Sequence, residues 1–371
     1  MNRAVPTLLL LLPALVSPAV TSAAELLVGK GLLYERPSEV AEVARDGDTI
    51  LIQGGDYYGD VAVWTQDDLT FTGVNGRPRL VADGKSAEGK GIWVIKGNNA
   101  VVENIEFSGA VVDDKNGAGI RLEGRHLTVR RCHFHHNENG ILTGADPRSN
   151  ILIEESEFGY NGHGDGYSHN MYIGRVASFE IRSSYVHHAV VGHQVKSRAK
   201  VNRILYNRLM DERSGTSSYL IDLPNDGEAL IVGNVLQQGP ETENWAMIRS
   251  VQATSITHNT FKNDRSGGIF IDLVGEAAGS LVANNLFAGN GRIEPGHAQV
   301  RNNLTTTRPE LENDLRFDYR LTVGSPAIDK GGDLPSGLVP EFVYEHPRAL
   351  RNRTVIDRPD VGAYELEGDR R

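Results

Sequence analysis

The segment RILYNRL (203–209) returns along the chain as LIVGNVL (230–236), SITHNTF (255–261) and LVANNLF (281–287). Earlier versions are VVENIEF (101–107), TVRRCHF (128–134), LIEESEF (152–158) and EIRSSYV (180–186). The segments start about 25 residues apart, and each ends in an apolar residue. A repeat of this length is typical of a solenoid, in which each unit adds one turn to a stacked core.

A second short segment lies between these repeats, as in GIRLEG, GILTG, HNMYIG, GHQVKS, SYLIDL, WAMIRS and GIFIDL. Two or three short strands per unit, without the leucine pattern and helix of a leucine-rich repeat, predict an all-β right-handed parallel β-helix. Asparagine recurs two residues before the apolar end of a unit, as at Asn207 and Asn234. We expect these asparagines to stack in an amide ladder at a tight corner.

The two ends of the chain depart from the repeat. Residues 37–57 predict a short N-terminal capping helix with Val40, Val43 and Ala44 on one face, followed by a strand. The segment from about 305 to 371 is expected to fold back as a second cap. No linker interrupts the pattern, so residues 25–371 are predicted to form a single domain.

The first 24 residues predict a secretory signal peptide. They have a basic start, an apolar run from Leu8 to Val20, and small residues before Glu25. A membrane span needs about 20 apolar residues, and this run is shorter and contains Pro13 and Pro18. The mature protein is therefore expected to be secreted or periplasmic, without membrane insertion after signal cleavage.

The amino-acid composition also limits the fold class and the kinds of partner. The 371 residues carry a formal net charge of −10 and include 41 glycines, which suits many strands joined by turns better than a helical protein. The only cysteine, Cys132, excludes an internal disulfide and is expected to be a buried, inert thiol. An acidic, exported chain argues against a nucleic-acid partner.

Three consecutive segments contain the candidate site: HNMYIGR (169–175), VVGHQVKSRAKVNR (190–203) and SSYLIDLPN (217–225). Stacked as rungs about 4.8 Å apart, they would bring one outer row of side chains to a common substrate. By strand alternation we expect that row to hold Asn170, Tyr172, Gln194, Lys196, Arg198 and Asp222. Residues 196–203 hold four basic residues and no acid, which favours an anionic polymer as the partner.

Several parts of the chain resemble a known superfamily. GNNAVVENIEF (97–107), RLTVGSPAIDKG (320–331) and RPDVGAYE (358–365) are similar to the pectate-lyase-like right-handed parallel β-helix proteins. Within that superfamily the chain looks nearest to bacterial relatives of alginate lyase and chondroitinase B. The resemblance implies a polysaccharide lyase acting on uronate chains, with a lysine base, an arginine facing the substrate carboxylate and, in some members, calcium.

The resemblance and the alternation together assign roles. Lys196 matches the lysine base of the lyases, whereas Asp222 stands where an arginine is expected, so Arg198 or Arg249 would replace that arginine. Tyr172 or His169 would be the general acid. Substrate-binding residues are expected to include Asn170, Gln194, His163 and Arg249, and the candidate calcium ligands are Asp222, Asn225 and Asp165.

Four alternatives stay open at this stage. A lyase and a uronate epimerase share the proton-abstraction step, and a polysaccharide-binding solenoid would need no chemistry. A glycoside hydrolase needs two carboxyl groups at working separation, which Asp222 and Asp272, two rungs apart, serve poorly.

The histidines near these segments have structural interpretations. By strand alternation, His193 is expected to point inward. The pairs His135–His136 and His187–His188 are interpreted as stacked turn residues, because no third metal ligand recurs at a fixed spacing.

Overall fold

The computed structural model describes residues 1, 23–275 and 279–367. The predicted signal peptide lies almost entirely outside the described residues. From Glu25 onward the chain winds into successive rungs, and the rungs between the two ends each contribute to three sheets. Every pairing between consecutive rungs is parallel, which confirms the predicted all-β parallel β-helix.

The sheets are named in the order in which a rung visits them. The first sheet contains Glu25–Val28, Thr49–Tyr58, Thr70–Val81, Ala100–Glu103, Leu127–Arg130, Asn150–Glu154, Ser178–Arg182, Val201–Leu205, Glu228–Val232, Ala253–Thr257, Leu281–Ala283 and Gln299–Arg301. The long strands Thr49–Tyr58 and Thr70–Val81 continue into the second sheet. Its other strands are Glu106–Ser108, His133–His135, Glu157–Gly159, Tyr185–His187, Arg208–Met210, Val235–Gln238, Thr260–Asn263, Leu286–Ala288 and Leu304–Thr306.

The third sheet contains Ala62–Trp64, Gly91–Ile95, Ala118–Leu122, Asn139–Thr143, Met171–Ile173, Val195–Ser197, Ile221–Leu223, Ala246–Ser250, Ile269–Leu273 and Arg292–Glu294. The remaining elements are the helix Pro37–Ala41, the 3-10 helix Asp314–Arg316 and two antiparallel pairs. These pairs are Leu311–Asn313 with Asp318–Leu321, and Phe342–Glu345 with Ala349–Asn352.

Inward side chains fill the solenoid in columns. The phenylalanines that end three repeats, Phe107, Phe134 and Phe158, are fully buried, with ring centroids 5.0 and 4.8 Å apart in parallel stacks. Cys132 is also fully buried, and burial raises the pKa of its thiol to about 12. The thiol is therefore protonated and inert at neutral pH, as expected.

A ladder of asparagines, buried except for the half-buried Asn303 at its end, joins the first and second sheets. Its members are Asn207, Asn234, Asn259, Asn285 and Asn303. Each amide nitrogen donates to the next amide oxygen at 2.9 to 3.0 Å, and each of those oxygens also accepts a backbone N–H from the rung before. The predicted amide ladder is confirmed, and it provides partners for backbone groups that the corner would leave unpaired.

The N-terminal cap differs from the prediction at one residue. The helix Pro37–Ala41 buries Val40 completely, and Ala44 is 7% exposed. Val43 is 48% exposed, so its predicted place on the buried face is wrong. The reason is that the helix ends at Ala41, after which the chain no longer follows helical periodicity.

The C-terminal segment packs along the outside of the second sheet. Tyr319, Val343 and Tyr364 form a buried cluster with side chains of that sheet, including Tyr185 and Met210. This segment covers part of the second sheet, and up to residue 367, where the described chain ends, it contributes no strand to the third sheet. The buried cluster therefore packs on the second sheet, whereas the candidate row of residues lies on the third sheet.

Replacing Asn234 with alanine tests the ladder. The change removes the acceptor of the Asn207 amide and backbone N–H groups, which become buried donors without that partner. An unpaired buried polar group costs about 1 to 3 kcal/mol, so we expect a loss of roughly 2 to 4 kcal/mol in the free energy of unfolding. Urea denaturation measures it. The exposed Asn290→Ala is the matched control, and an equal loss in both variants would contradict the stabilising role of the ladder.

Candidate functional site

The strand register of the third sheet brings three residues of the predicted outer row together. Tyr172 pairs with Lys196, and Lys196 pairs with Asp222 on the following rung. Arg249 and then Asp272 continue the same row. The prediction that Tyr172, Lys196 and Asp222 lie on adjacent rungs of one face is confirmed.

Lys196 and Asp222 form an ion pair at the centre of this row. The Lys196 amine lies 3.0 Å from Oδ2 of Asp222, whose side chain is only 5% exposed. His193 completes the group, because its Nε2 lies 3.2 Å from the Lys196 amine and 3.4 Å from Asp222 Oδ2. Asp222 Oδ1 is buried and has no hydrogen-bond partner among the described residues.

Backbone contacts orient the imidazole of His193. Its Nδ1 accepts the backbone N–H of Tyr219 at 3.3 Å, so the neutral ring carries its hydrogen on Nε2, facing Asp222. His169 repeats this arrangement one rung earlier, where its Nδ1 accepts the backbone N–H of His193 at 3.0 Å. Desolvation, followed by the charge of Lys196, lowers the pKa of His193 to about 4, so the ring is neutral at pH 7.

Arg198 is held between two neutral side chains. Its Nε donates to the Tyr172 hydroxyl oxygen at 2.7 Å, and its NH1 group donates to Asn225 Oδ1 at 2.7 Å. The guanidinium carbon also lies 5.8 Å from the centre of the Tyr172 ring. Because the phenol oxygen accepts from Arg198, the hydroxyl hydrogen of Tyr172 is free to be donated elsewhere.

A cavity of about 430 Å³ opens beside Arg198. Its lining consists of Pro147, Arg175, Val176, Ala177, Arg198, Lys200, Asn225 and Asp226. Lys200 pairs there with the exposed Asp226 at 3.1 Å. Arg203, the last basic residue of the predicted cationic segment, lies in the first sheet and pairs with Glu180 at 3.2 Å. The cationic surface is therefore smaller than the sequence predicts, and Arg203 lies outside the cavity.

Comparisons with known proteins agree with this architecture. Residues 60–236 match the family described as "Right handed beta helix region". The solved structure of pectate lyase Pel9A superposes with a TM-score of 0.59 at 14% sequence identity, over 94% of this chain and 97% of that one. The chain is a right-handed parallel β-helix.

Two further structures are less similar. A pectin methylesterase in complex with a hexasaccharide gives a TM-score of 0.43 at 11% identity, covering 60% of this chain and 81% of that one. ORF18 of Geobacillus virus E2 gives 0.47 at 14% identity, covering 70% and 52%. Both TM-scores lie below 0.5, so neither structure bears on the function of this chain. No curated protein sequence matches significantly, so the predicted nearness to alginate lyase and chondroitinase B stays a prediction.

Two predicted substrate-binding residues lie inside the β-helix. Asn170 and Gln194 are fully buried, and they are joined by a hydrogen bond of 2.5 Å from the Asn170 amide to Gln194 Oε1. Gln194 in turn donates to Asp211 Oδ1 at 3.0 Å. Their expected outward position is wrong. Both residues precede their strands, Met171–Ile173 and Val195–Ser197, so strand alternation does not govern them.

His169 and His193 also differ from the sequence-based expectation. His169 is 2% exposed, and its ring stacks on that of His193 at 4.6 Å. The structure therefore gives it a supporting position behind His193 instead of the predicted role of general acid. His193 is 7% exposed, as an interior histidine would be, yet its Nε2 reaches Lys196 and Asp222. Strand alternation predicts only that His193 points inward and does not indicate its contact with Lys196 and Asp222.

The remaining candidates lie around this group. Arg249 occupies the next rung after Asp222, and its Nε lies 3.6 Å from Asp272. His163 contacts a different acid, because its Nδ1 lies 3.3 Å from Glu138 Oε1. Asp165 caps its own exposed loop by accepting the backbone N–H of Tyr167.

The predicted calcium ligands do not fit that ion. Calcium takes about six to eight oxygen ligands, but Asp222 Oδ2 is engaged by Lys196 and His193, and Asn225 Oδ1 accepts from Arg198. Asp165 uses a carboxylate oxygen within its own loop. Within the described part of the chain, neither Asp222 nor Asp165 belongs to a cluster of three or more histidine, cysteine or carboxylate ligands that could hold a metal ion.

The pKa of His193 predicts a pH dependence of stability. The unfolded ring binds a proton below about 6.5, whereas the folded ring stays neutral down to about 4. Its contribution to the free energy of unfolding is therefore complete above about pH 6.5 and is lost as the pH falls toward 4. The wild type loses free energy of unfolding between about pH 6.5 and 4, and replacing His193 with glutamine should make that loss smaller by roughly 3 kcal/mol. Denaturant titrations from pH 4 to 7 measure it.

The exposed His297→Gln is the matched control for that experiment. It is expected to follow the wild-type curve, because its side chain meets solvent in both states. A curve for His193→Gln parallel to the wild type across this range would show that burial of the imidazole does not carry the effect.

Proposed function

We propose that the protein is a polysaccharide-processing enzyme, a lyase that cleaves an anionic, uronate-containing polysaccharide by β-elimination. The observation that carries the proposal is the alignment of Tyr172, Lys196 and Asp222 on adjacent rungs, with Arg198 bound to the Tyr172 hydroxyl. A pectate lyase with the same fold supports the general class. At 14% sequence identity a shared fold does not specify the reaction, which depends on the side chains of the site.

Elimination from a uronate needs a cationic partner for the carboxylate. Arg198 serves this role, because its bonds to Tyr172 and Asn225 fix the guanidinium while its NH2 group makes no hydrogen bond within the described part of the chain. The adjoining cavity, which Arg175 and Lys200 also line, gives an anionic sugar room beside it. A planar guanidinium can bind a carboxylate through two parallel hydrogen bonds.

Lys196 is the proposed base that removes the proton next to the carboxylate. At rest it forms an ion pair with Asp222, so the ammonium must first lose a proton. Bound polysaccharide excludes water from this nearly buried pair, and a buried ion pair is costly to maintain. Transfer of one proton from Lys196 to Asp222, across 3.0 Å, would leave a neutral amine facing the substrate.

Tyr172 is the proposed acid that protonates the leaving oxygen. Its phenol oxygen accepts from Arg198, which leaves the hydroxyl hydrogen free for the substrate. It lies one rung from Lys196, so a sugar residue lying across the two rungs would meet the base and the acid at neighbouring positions. His193 holds Asp222 in place through its Nε2–H.

Replacing Lys196 with alanine tests the assignment. We expect the rise in ultraviolet absorbance that marks an unsaturated uronate end to slow by roughly 10² to 10⁴-fold, the usual contribution of a positioned base. Arg203→Ala is the matched control, because Arg203 belongs to the same basic segment but lies in the first sheet. Its rate should equal that of the wild type.

The substrate panel should contain several uronate polymers and one neutral polysaccharide. Absence of unsaturated products from every uronate polymer would contradict a lyase. Proton NMR of the same samples detects an epimerase, which would change the sugar stereochemistry without shortening the chains. Binding that is equal in the wild type and Lys196→Ala, without turnover in either, would indicate a polysaccharide-binding solenoid.

A further inference from the structure

The outer side of the second sheet carries a separate row of titratable residues. Arg79 pairs with Glu106, Glu106 pairs with His133, and His133 pairs with Glu157 on successive rungs. His135 is two residues beyond His133 on the same strand, so both rings emerge from the same side of the sheet. Their ring centroids are 4.4 Å apart.

Three of these side chains converge on one point. One ligand atom from each of Glu106, His133 and His135 lies within 4.8 Å of the other two. His135 Nε2 is 3.1 Å from Glu106 Oε1, and His133 Nδ1 is 3.8 Å from Glu106 Oε2. Their side chains are 15 to 24% exposed, so the cluster is held by its surroundings and still accessible from solvent.

A surrounding layer of contacts orients all three side chains. Arg79 Nε donates to Glu106 Oε1 at 3.0 Å, which leaves Oε2 available. The far nitrogen of His133, Nε2, lies 3.7 Å from Glu157 Oε1. His135 Nδ1 lies 2.8 Å from His136 Nδ1, so one ring can donate to the other. Outer contacts of this kind fix the tautomer of metal-binding histidines.

We propose that Glu106, His133 and His135 bind one divalent transition-metal ion of the zinc class. Two imidazole nitrogens and one carboxylate oxygen match the ligands that zinc prefers, and three protein ligands leave at least one coordination position open. His136 supports the site through geometry, because its Nδ1 lies 2.8 Å from His135 Nδ1 while the other nitrogen of the His135 ring, Nε2, faces Glu106.

The proposed metal site goes beyond the interpretation drawn from the sequence, with which the stacking of the His136 ring on Tyr160 agrees. The pair His135–His136 was expected to be only a stacked turn, because no third ligand recurs at a fixed spacing. Glu106 supplies that ligand from the preceding rung of the second sheet, where strand pairing and not sequence motif sets its position. The proposal does not depend on the lyase assignment, because the Lys196 row belongs to the third sheet.

The test is a cobalt titration of the full-length protein without a histidine tag, after treatment with a chelator that is then removed. Co²⁺ reports its coordination through visible absorption, and Zn²⁺ competition gives the zinc affinity. We expect one ion per chain. Glu106→Gln, His133→Ala and His135→Ala should each weaken binding by at least about 10-fold.

His188→Ala is the matched control, since His188 belongs to the equivalent pair two rungs further on, where its Nδ1 also lies 2.8 Å from a histidine nitrogen. It should bind cobalt as the wild type does. Each variant is first compared with the wild type by circular dichroism and thermal melting in chelator, so that misfolding is recognised. Weak binding without a defined stoichiometry, or equal losses in His188→Ala and His135→Ala among folded variants, would overturn the proposal.

Discussion

The register between neighbouring rungs is the constraint on which the rest of this structure depends. Parallel strands make equivalent hydrogen bonds at every step, so backbone pairing alone would tolerate a shifted alignment. The buried amide ladder removes that freedom, because Asn207, Asn234 and Asn259 bond to one another only when their rungs align. A slip of one residue would also turn every outward side chain inward.

The candidate site inherits its geometry from that register. Tyr172, Lys196 and Asp222 belong to different rungs and meet because their strands pair residue by residue. The site is polar, whereas the side chains inside the β-helix are mostly apolar or carry amides. The Asp222 carboxylate is also almost completely buried. Such a carboxylate is costly unless it is paired, so Lys196 and His193 stabilise the site as well as belonging to its proposed chemistry.

The sequence was sufficient to predict the repeat, the asparagine ladder and the alignment of Tyr172, Lys196 and Asp222 on the third sheet, because each follows from a period that local chemistry imposes. It failed where residues precede a strand. Asn170 and Gln194 were assigned by alternation but lie in the turns leading into the sheet, where the backbone is not pleated. His169, predicted as a candidate general acid one rung before Lys196, lies in one of these turns too. His193 was missed as a site residue for the same reason.

Glu106 shows a second limit on what sequence reasoning reaches. It lies far from His133 in the chain, and only the pairing of Glu106–Ser108 with His133–His135 brings them together. The predicted calcium ligands do not fit the ion for a different reason: Asn225 has a suitable ligand oxygen, but that oxygen already accepts a hydrogen bond from Arg198. Residue type predicts what a side chain can bind, whereas its neighbours in space decide what it does bind.

The most direct test of the account is a crystal structure of the Lys196→Ala variant with an oligouronate that the wild type degrades. The account predicts sugar lying across the rungs of Tyr172 and Asp222, with a carboxylate bound to Arg198 and a glycosidic oxygen near the Tyr172 hydroxyl. An oligosaccharide bound on the first or second sheet, with the third-sheet row unoccupied, would contradict it.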